Sequence, residues 1–231
     1  MITAIIVAAG KGERMKNKIN KPFLHLAGKP MLYWTLKSFV DSSVDNILIV
    51  ANPAEIEDMS ALIAEHAIEK VLGILPGGEK RQDSVSNGLD FLPDQTEIVA
   101  VHDGARPLIA PEHIDKLIAD LKDFDGVVPA VRPIDTIKVA RENIVGETLD
   151  RQDLRAIQTP QIFKRKPLIE SYAKAKSDGF YGTDDASLLE RYGYSVKISE
   201  GYYDNIKITN PVDLELAEVI IAKKLKQEDF S

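Results

Sequence analysis

"ITAIIVAAGKGERM", residues 2–15, is an apolar run that ends in two glycines one residue apart and then a charged pair. An apolar run without polar alternation belongs to a parallel strand covered on both faces. A strand that delivers glycines at its carboxyl end begins many nucleotide-binding sheets, because glycine lets backbone N–H groups approach a phosphate. The dinucleotide fingerprint needs a third glycine, and Met15 occupies that position. No G-x-x-x-x-G-K-S/T follows, which removes the P-loop. The run is short, lacks a basic leader and passes straight into Gly10 and Gly12, so it reads as a buried strand rather than a signal peptide.

Working outward, strand and helix patterns alternate. Apolar strands are predicted at 3–9, 46–52, in "KVLGILPGG", at 97–107 and in "DGVVPAV". Helical spacing fills the intervals: "PMLYWTLKSFVDS", "EIEDMSALIAEHA", "RQDSVSNGLDFL" and "APEHIDKLIADLKDF". This rhythm predicts an α/β fold: a Rossmann-like, open, mostly parallel sheet flanked by helices, with ligands at the carboxyl ends of its strands. The rhythm breaks near residue 132. "TIKVA" and "IVGETL" alternate around "REN", which predicts a protruding β-hairpin arm at about 133–151. An isolated hairpin is marginal in water, so the arm is expected to pack on something, with a second subunit one choice. Beyond it, "PLIESYAKAKSDG" and "DDASLLERYG" read as helices, and "YSVKISEG" and "NIKIT" as short strands. Asn210 and Pro211 then start a last helix. With no repeat or linker, residues 1–231 read as one domain with an arm.

Composition narrows the function. A net charge of −7 argues against a general nucleic-acid or anionic-membrane binder, so an anionic ligand would need local Lys and Arg to overcome the global field. The absence of cysteine removes disulfides, thiol nucleophiles and thiolate metal sites, and fits a reducing cytoplasm. No apolar stretch approaches the roughly 20 residues that span a bilayer.

Those local cations follow the glycine loop. Arg14 lies two residues after Gly12, and Lys21 seven after Arg14. A site that moves phosphoryl groups uses such cations to stabilise charge on the transferring phosphate. The loop therefore reads as a triphosphate cradle, against the plainer reading of a tight turn. "PGGEKRQDS" (76–84) supplies a second glycine turn with Gly78, Arg81 and Ser84, otherwise a strand–helix connection with surface charge. In "VHDGARP", Asp103 sits just past a strand, where a carboxylate can hold Mg2+ against phosphate oxygens, while Gly104 admits backbone and Arg106 adds a cation. The alternative is an aspartate that caps a turn. His102 reads as a packed strand-end residue, not a zinc ligand. Lys207, between Ile206 and Ile208, would face away from both on a strand, or else be a snorkelling surface lysine.

"AAGKGERM", Lys21 before "PF", "GGEKRQDSVSNGL", "VHDGARP", "DTIK", "LRAIQTPQIF", "TDDASLLE" and "DNIKIT" together resemble the 2-C-methyl-D-erythritol 4-phosphate cytidylyltransferases of the non-mevalonate isoprenoid pathway, in order and spacing over nearly the whole chain. The chain departs at Pro22, where the family commonly has Gln, and at Gly104, where it commonly has Ala. The resemblance implies transfer of CMP from CTP to a sugar-alcohol phosphate with release of pyrophosphate, the acceptor phosphate oxygen attacking the α-phosphorus. It implies Arg14, Lys21, Arg151 and Lys207 as catalytic residues. It implies a nucleotide site of Ala8, Ala9, Gly10, Gly12, Gly78, Arg81, Ser84, Asp103 and Gly104, with Asp103 on Mg2+. Arg106, Thr136, Arg151, Thr159 and Lys207 would hold the acceptor, and the arm would make a homodimer.

Three other readings stand beside it. A ribitol-5-phosphate cytidylyltransferase would share fold and chemistry, and "DSVSNGL" and "TDDASLLE" favour the erythritol enzyme. A sugar-1-phosphate nucleotidyltransferase also starts with a G-x-G-x-R loop but usually runs longer. A silent nucleotide-binding regulatory module would not need Arg14, Lys21, Asp103 and Lys207 together.

Overall fold

Ile2–Ala8 forms strand β1, which pairs in parallel with β4 (Asn46–Ala51) on one side and β6 (Ile98–Asp103) on the other. The computed structural model describes residues 1–10 and 20–228. From β1 the chain runs through α1 (Met31–Val40) to β4, then through α2 (Ile56–Glu65) to β5 (Val71–Pro76) at the sheet edge. It returns through α3 (Arg81–Leu89) to β6, on the opposite flank of β1. The strand order thus reverses between β1 and β6, where open α/β sheets leave a crevice at their carboxyl ends. The register sets Val7 beside Asp103 and Ala8 beside Ala51, so these strand ends lie level.

After α4 (Pro111–Asp120) and β7 (Gly126–Val131), the sheet becomes mixed. β11 (Gln161–Lys164) inserts antiparallel between β6 and β7, and the short β10 (Ala156–Ile157) also pairs antiparallel with β7. Helices α5 (Arg165–Ser177) and α6 (Asp185–Arg191) follow, then β12 (Val196–Glu200), parallel to β7, and α7 (Pro211–Glu228). A small hairpin, β2 (His25–Leu26) and β3 (Lys29–Pro30), lies ahead of α1.

Alternation along β1 builds two core layers. Ala4, Ile6 and Ala8 pack with Leu32, Leu36, Met59 and Ile114, while Ile5 packs with Val85, Leu89, Phe163 and Leu188 on the other face. Successive strand side chains point to opposite faces, so a strand covered on both is apolar; the exception, buried Thr3, pairs its hydroxyl with that of Thr96 at 2.9 Å.

The arm forms as expected, from β8 (Lys138–Arg141) and β9 (Ile144–Thr148). Glu142 and Asn143 both take positive φ, 49° and 63°, as a two-residue turn matched to strand twist requires. Every residue of both strands is exposed.

Two expectations need correction. Residues 205–209 form no strand: Ile208 N–H bonds to Ala105 O at 2.8 Å, without a ladder. The expected facing holds all the same, since Ile208 is buried, Ile206 packs beside it and Lys207 extends away. The antiparallel strands β10 and β11 went unread because polar Gln158, Thr159 and Gln161 interrupt their apolar pattern. All three are buried, and each finds hydrogen bonds inside the protein.

Gly88 shows how tightly α3 sits on β1. A Cβ there would lie 2.8 Å from Cγ2 of the fully buried Ile5. In an exposed helix, Gly→Ala gains about 1 kcal/mol, whereas overpacking a core costs about 1–3 kcal/mol. Gly88→Ala is therefore expected to lower the melting temperature. A rise would show that α3 can lift away from the sheet.

Candidate active site

The ends of β1, β5 and β6 open onto one pocket of about 550 Å³. Val7, Ala8, Ala9 and Gly10 form one wall; Gly78, Lys80, Arg81 and Ser84 form another; Asp103 and Gly104 close the floor, with Lys21 and Lys207 at the sides. The glycine pair after β5 is a steric requirement. A Cβ on Gly77 would lie 2.3 Å from the Ala9 Cβ, and one on Gly78 2.3 Å from the Asp83 Cβ. The β5–α3 turn can therefore press against the end of β1 only without side chains. Ser84 Oγ fixes that turn, accepting from Gly78 N at 3.0 Å and donating to Lys80 O at 3.1 Å.

Asp103 is the electrostatic centre. Its Oδ1 accepts from Arg81 Nε at 3.1 Å and its Oδ2 from Lys207 Nζ at 2.6 Å. Burial alone would raise the carboxyl pKa; Arg81 and Lys207 outweigh it and hold Asp103 well below the usual carboxylate range. Arg81 is held in turn from its far side, where Nη2 donates to Asp185 Oδ2 at 2.8 Å. Burial works against its charge, but Asp185 and Asp103 raise its pKa above the ordinary guanidinium value. Lys21 Nζ donates to Ile208 O at 3.4 Å, so the stretch 207–208 both supplies Lys207 to the pocket and holds Lys21.

Of the residues singled out in the sequence, Ala8, Ala9, Gly10, Lys21, Gly78, Arg81, Ser84, Asp103, Gly104 and Lys207 converge on this pocket. Gly12 and Arg14 lie outside the described residues. Arg106 and Thr159 stand behind the pocket wall. Arg106 Nη1 donates to Asn205 O at 2.7 Å, and Thr159 Oγ1 accepts from Asp103 N at 3.1 Å. Thr136 and Arg151 are exposed at the base of the arm, where Arg151 Nη1 donates to Ile134 O at 2.7 Å, and neither lines the pocket. Sequence reasoning did not single out Gly77 or Asp185. The doubled glycine is a visible signal for the first; Asp185 lies in the quoted "TDDASLLE", but nothing local ties it to Arg81, 104 residues earlier.

The family model described as IspD, 2-C-methyl-D-erythritol 4-phosphate cytidylyltransferase, matches residues 2–223. The 2-C-methyl-D-erythritol 4-phosphate cytidylyltransferase of Geobacillus kaustophilus is 46% identical over 225 residues, covering 97% of this chain and 98% of that one. The enzyme of the same name from Caldanaerobacter subterraneus is 44% identical over 225 residues, covering 96% and 99%. Among solved structures, 4-diphosphocytidyl-2C-methyl-D-erythritol synthase of Anaerococcus prevotii superposes with a TM-score of 0.85 at 31% identity, covering 96% of each chain. The Thermus thermophilus cytidylyltransferase gives 0.79 at 30%, covering 94% and 98%.

Beneath Asp103, His102 is fully buried against Phe39, with ring centroids 5.0 Å apart. Its Nε2 faces Arg106 O at 3.0 Å and so carries the proton, leaving Nδ1 to accept from the Thr159 hydroxyl at 3.1 Å. Burial lowers its pKa from 6.5 to about 4. As pH falls, the unfolded chain therefore takes up this proton first, and stability declines from about pH 6.5 down to about pH 4. At about 1.4 kcal/mol per pKa unit, the loss approaches about 3 kcal/mol. His113, also lowered by burial, adds in the same direction. Asp103, whose pKa is depressed, subtracts stability only as pH falls below its ordinary 3.8. Urea unfolding between pH 7 and 4 measures this. Flat stability above pH 4.5 would mean that His102 is not held neutral.

Proposed function

The chain belongs to the 2-C-methyl-D-erythritol 4-phosphate cytidylyltransferase family, and on that premise we propose how its residues carry the family's reaction. The enzyme transfers CMP from CTP to 2-C-methyl-D-erythritol 4-phosphate, giving 4-diphosphocytidyl-2-C-methyl-D-erythritol and pyrophosphate in the non-mevalonate route to isoprenoids. The family match over residues 2–223 carries this conclusion.

The acceptor phosphate has a second pKa of about 6, so its oxygen is already an anionic nucleophile at neutral pH. No side chain need remove a proton or form a covalent intermediate. The work left to the protein is in-line positioning and stabilisation of charge. In our reading, the glycine turn at 77–78, the Ser84 hydroxyl that orders it and the backbone at Ala8 and Ala9 form the base-recognition end of the pocket. Lys21 and Lys207, with Arg14 from the glycine loop, stabilise negative charge on the α-phosphate and the departing pyrophosphate. Arg81 is engaged by two carboxylates, so its part is to hold Asp103 rather than to grip phosphate.

Mg2+ fits this site in one way. Among the described residues no three His, Cys, Asp or Glu side chains cluster to cage a metal, but Asp103 presents an ionised carboxylate to the pocket. Each carboxylate oxygen keeps acceptor capacity beyond one hydrogen bond. Mg2+ is commonly bound by one or two carboxylates together with substrate phosphates. Asp103 is thus the residue to hold it, and the ion would supply charge neutralisation on the triphosphate.

The arm is proposed as the contact with a second copy. Ile134, Ile144 and Val145 are exposed on it, and a two-fold pairing would cover them. Thr136 and Arg151 would then serve the partner's pocket, consistent with their absence from the lining of their own. Cytoplasm is the proposed compartment, supported by the lack of cysteine. No helix among the described residues is long and apolar enough to cross a membrane.

Purified protein given CTP, Mg2+ and methylerythritol phosphate should release pyrophosphate, and with ribitol phosphate it should release far less. The reverse preference would overturn the acceptor assignment. Lys21→Ala and Lys207→Ala should each lower kcat by at least ~10²-fold, the scale of losing one preorganised charge donor. For the arm, Lys21→Ala and Arg151→Ala proteins are mixed and their subunits allowed to exchange. A shared site predicts partial recovery of activity, because one site of each mixed dimer carries neither lesion. Exchange without recovery places Arg151 in its own subunit's chemistry.

A further inference from the structure

Asp185 opens α6, 104 residues after Arg81, and does not line the pocket. It is 1% exposed. A buried carboxylate needs compensation, and Asp185 has it on both oxygens: Oδ2 accepts from Arg81 Nη2 at 2.8 Å and Oδ1 from Tyr172 OH at 2.5 Å. The Arg81 guanidinium is planar and rigid, and its Nε meets Asp103 Oδ1 at 3.1 Å. It cannot turn about one carboxylate without leaving the other. The α6 end is itself anchored. Asp184 accepts from Ser187 N at 3.0 Å and from Gln161 Nε2 at 2.7 Å, and Gln161 Oε1 accepts from Ala186 N at 3.1 Å, tying α6 to the central strand β11. The "TDDASLLE" stretch thus holds, near its start, a fixed negative charge that faces the pocket through a single arginine.

We infer that Asp185 is a positioning residue for the transfer reaction: through Arg81 it sets the orientation of the Asp103 carboxylate in the pocket, and Tyr172 steadies it. The inference rests on the reading of Asp103 as the pocket's working carboxylate. Charges alternate along the row Lys207, Asp103, Arg81, Asp185. Without the charge of Asp185, the guanidinium loses the contact at Nη2 that fixes its plane, and it swings away so that its Nε–H leaves Asp103 Oδ1. The Asp103 carboxylate then loses the partner that orients it toward the triphosphate.

The test compares Asp185→Asn in the native and the Asp103→Asn backgrounds, with folding checked by circular dichroism and melting. Misplacing a reacting group by about 1 Å can cost up to 10²-fold. In the native background a fall in kcat of about 10-fold is expected, with the KM for CTP moved much less. In the Asp103→Asn background no further fall is expected, since the two changes act on one group. A second readout is independent of activity: the Arg81 Nε–H resonance, assigned by its absence in Arg81→Lys, should be protected from water exchange in the native protein and lose that protection in Asp185→Asn. Should Asp185→Asn not fold, Tyr172→Phe, which keeps the aromatic packing, takes its place, with an expected loss of about 3-fold confined to the native background. An equal loss in both backgrounds, or native turnover with a protected Nε–H in the folded variant, would overturn the inference. Unimpaired Asp103→Asn turnover would instead overturn the reading of Asp103 on which it rests.

Discussion

One carboxylate, that of Asp103, holds the working end of the molecule together. It stands at the end of the strand next to β1 and draws Arg81 from the start of α3 and Lys207 from the loop ahead of α7. Two cations on one largely buried carboxylate are a stable arrangement only as a set: remove a partner and a desolvated charge remains. The same set keeps the pocket cations at fixed distances before any nucleotide arrives. Such preorganisation is what electrostatic catalysis requires, because fixed charges need not reorganise as charge moves in the reaction.

Beside this centre lies a connected set of polar groups, most of them buried. His102, Thr159 and Asp103 N–H form a hydrogen-bonded chain that ends on Arg106 O. Asn205 is fully buried; its Nδ2 donates to Thr159 O, and its own backbone carbonyl accepts from Arg106. These contacts hold residues 201–209 against the sheet in the absence of a strand ladder. Lys207 thereby reaches Asp103 from a segment without regular secondary structure, where rigidity comes from side-chain bonds. Arg106 joins this set by donating from Nη1 to Asn205 O at 2.7 Å.

The arm follows the opposite rule. Among the described residues its two strands pair only with each other, and it buries almost nothing within this chain. Local sequence forms it, and its apolar side chains Ile144 and Val145 stay uncovered within this chain.

How far the sequence could be read follows from the range of each interaction. Strands β1, β4, β6 and β7 were legible because a strand covered on both faces is apolar throughout, and the arm because its alternation and turn are local. The glycines at 77–78 and the residues Lys21, Asp103 and Lys207 were legible as types suited to phosphate chemistry at strand ends. β10 and β11 were not, since their polar residues look like a loop until their partners Tyr202 and Asp184 are in place. Nor was it legible that Arg81 faces two carboxylates, one of them Asp185, or that Thr159 accepts from the Asp103 backbone and Arg106 donates to that of Asn205. The layered α/β plan and most pocket residue types can be read from short stretches, because periodicity and strand-end chemistry are local, and the reaction class follows from the resemblance of those stretches to a family. Which charges neutralise one another is settled by the folded chain, because an ion pair between residues 103 and 207 depends on the path between them.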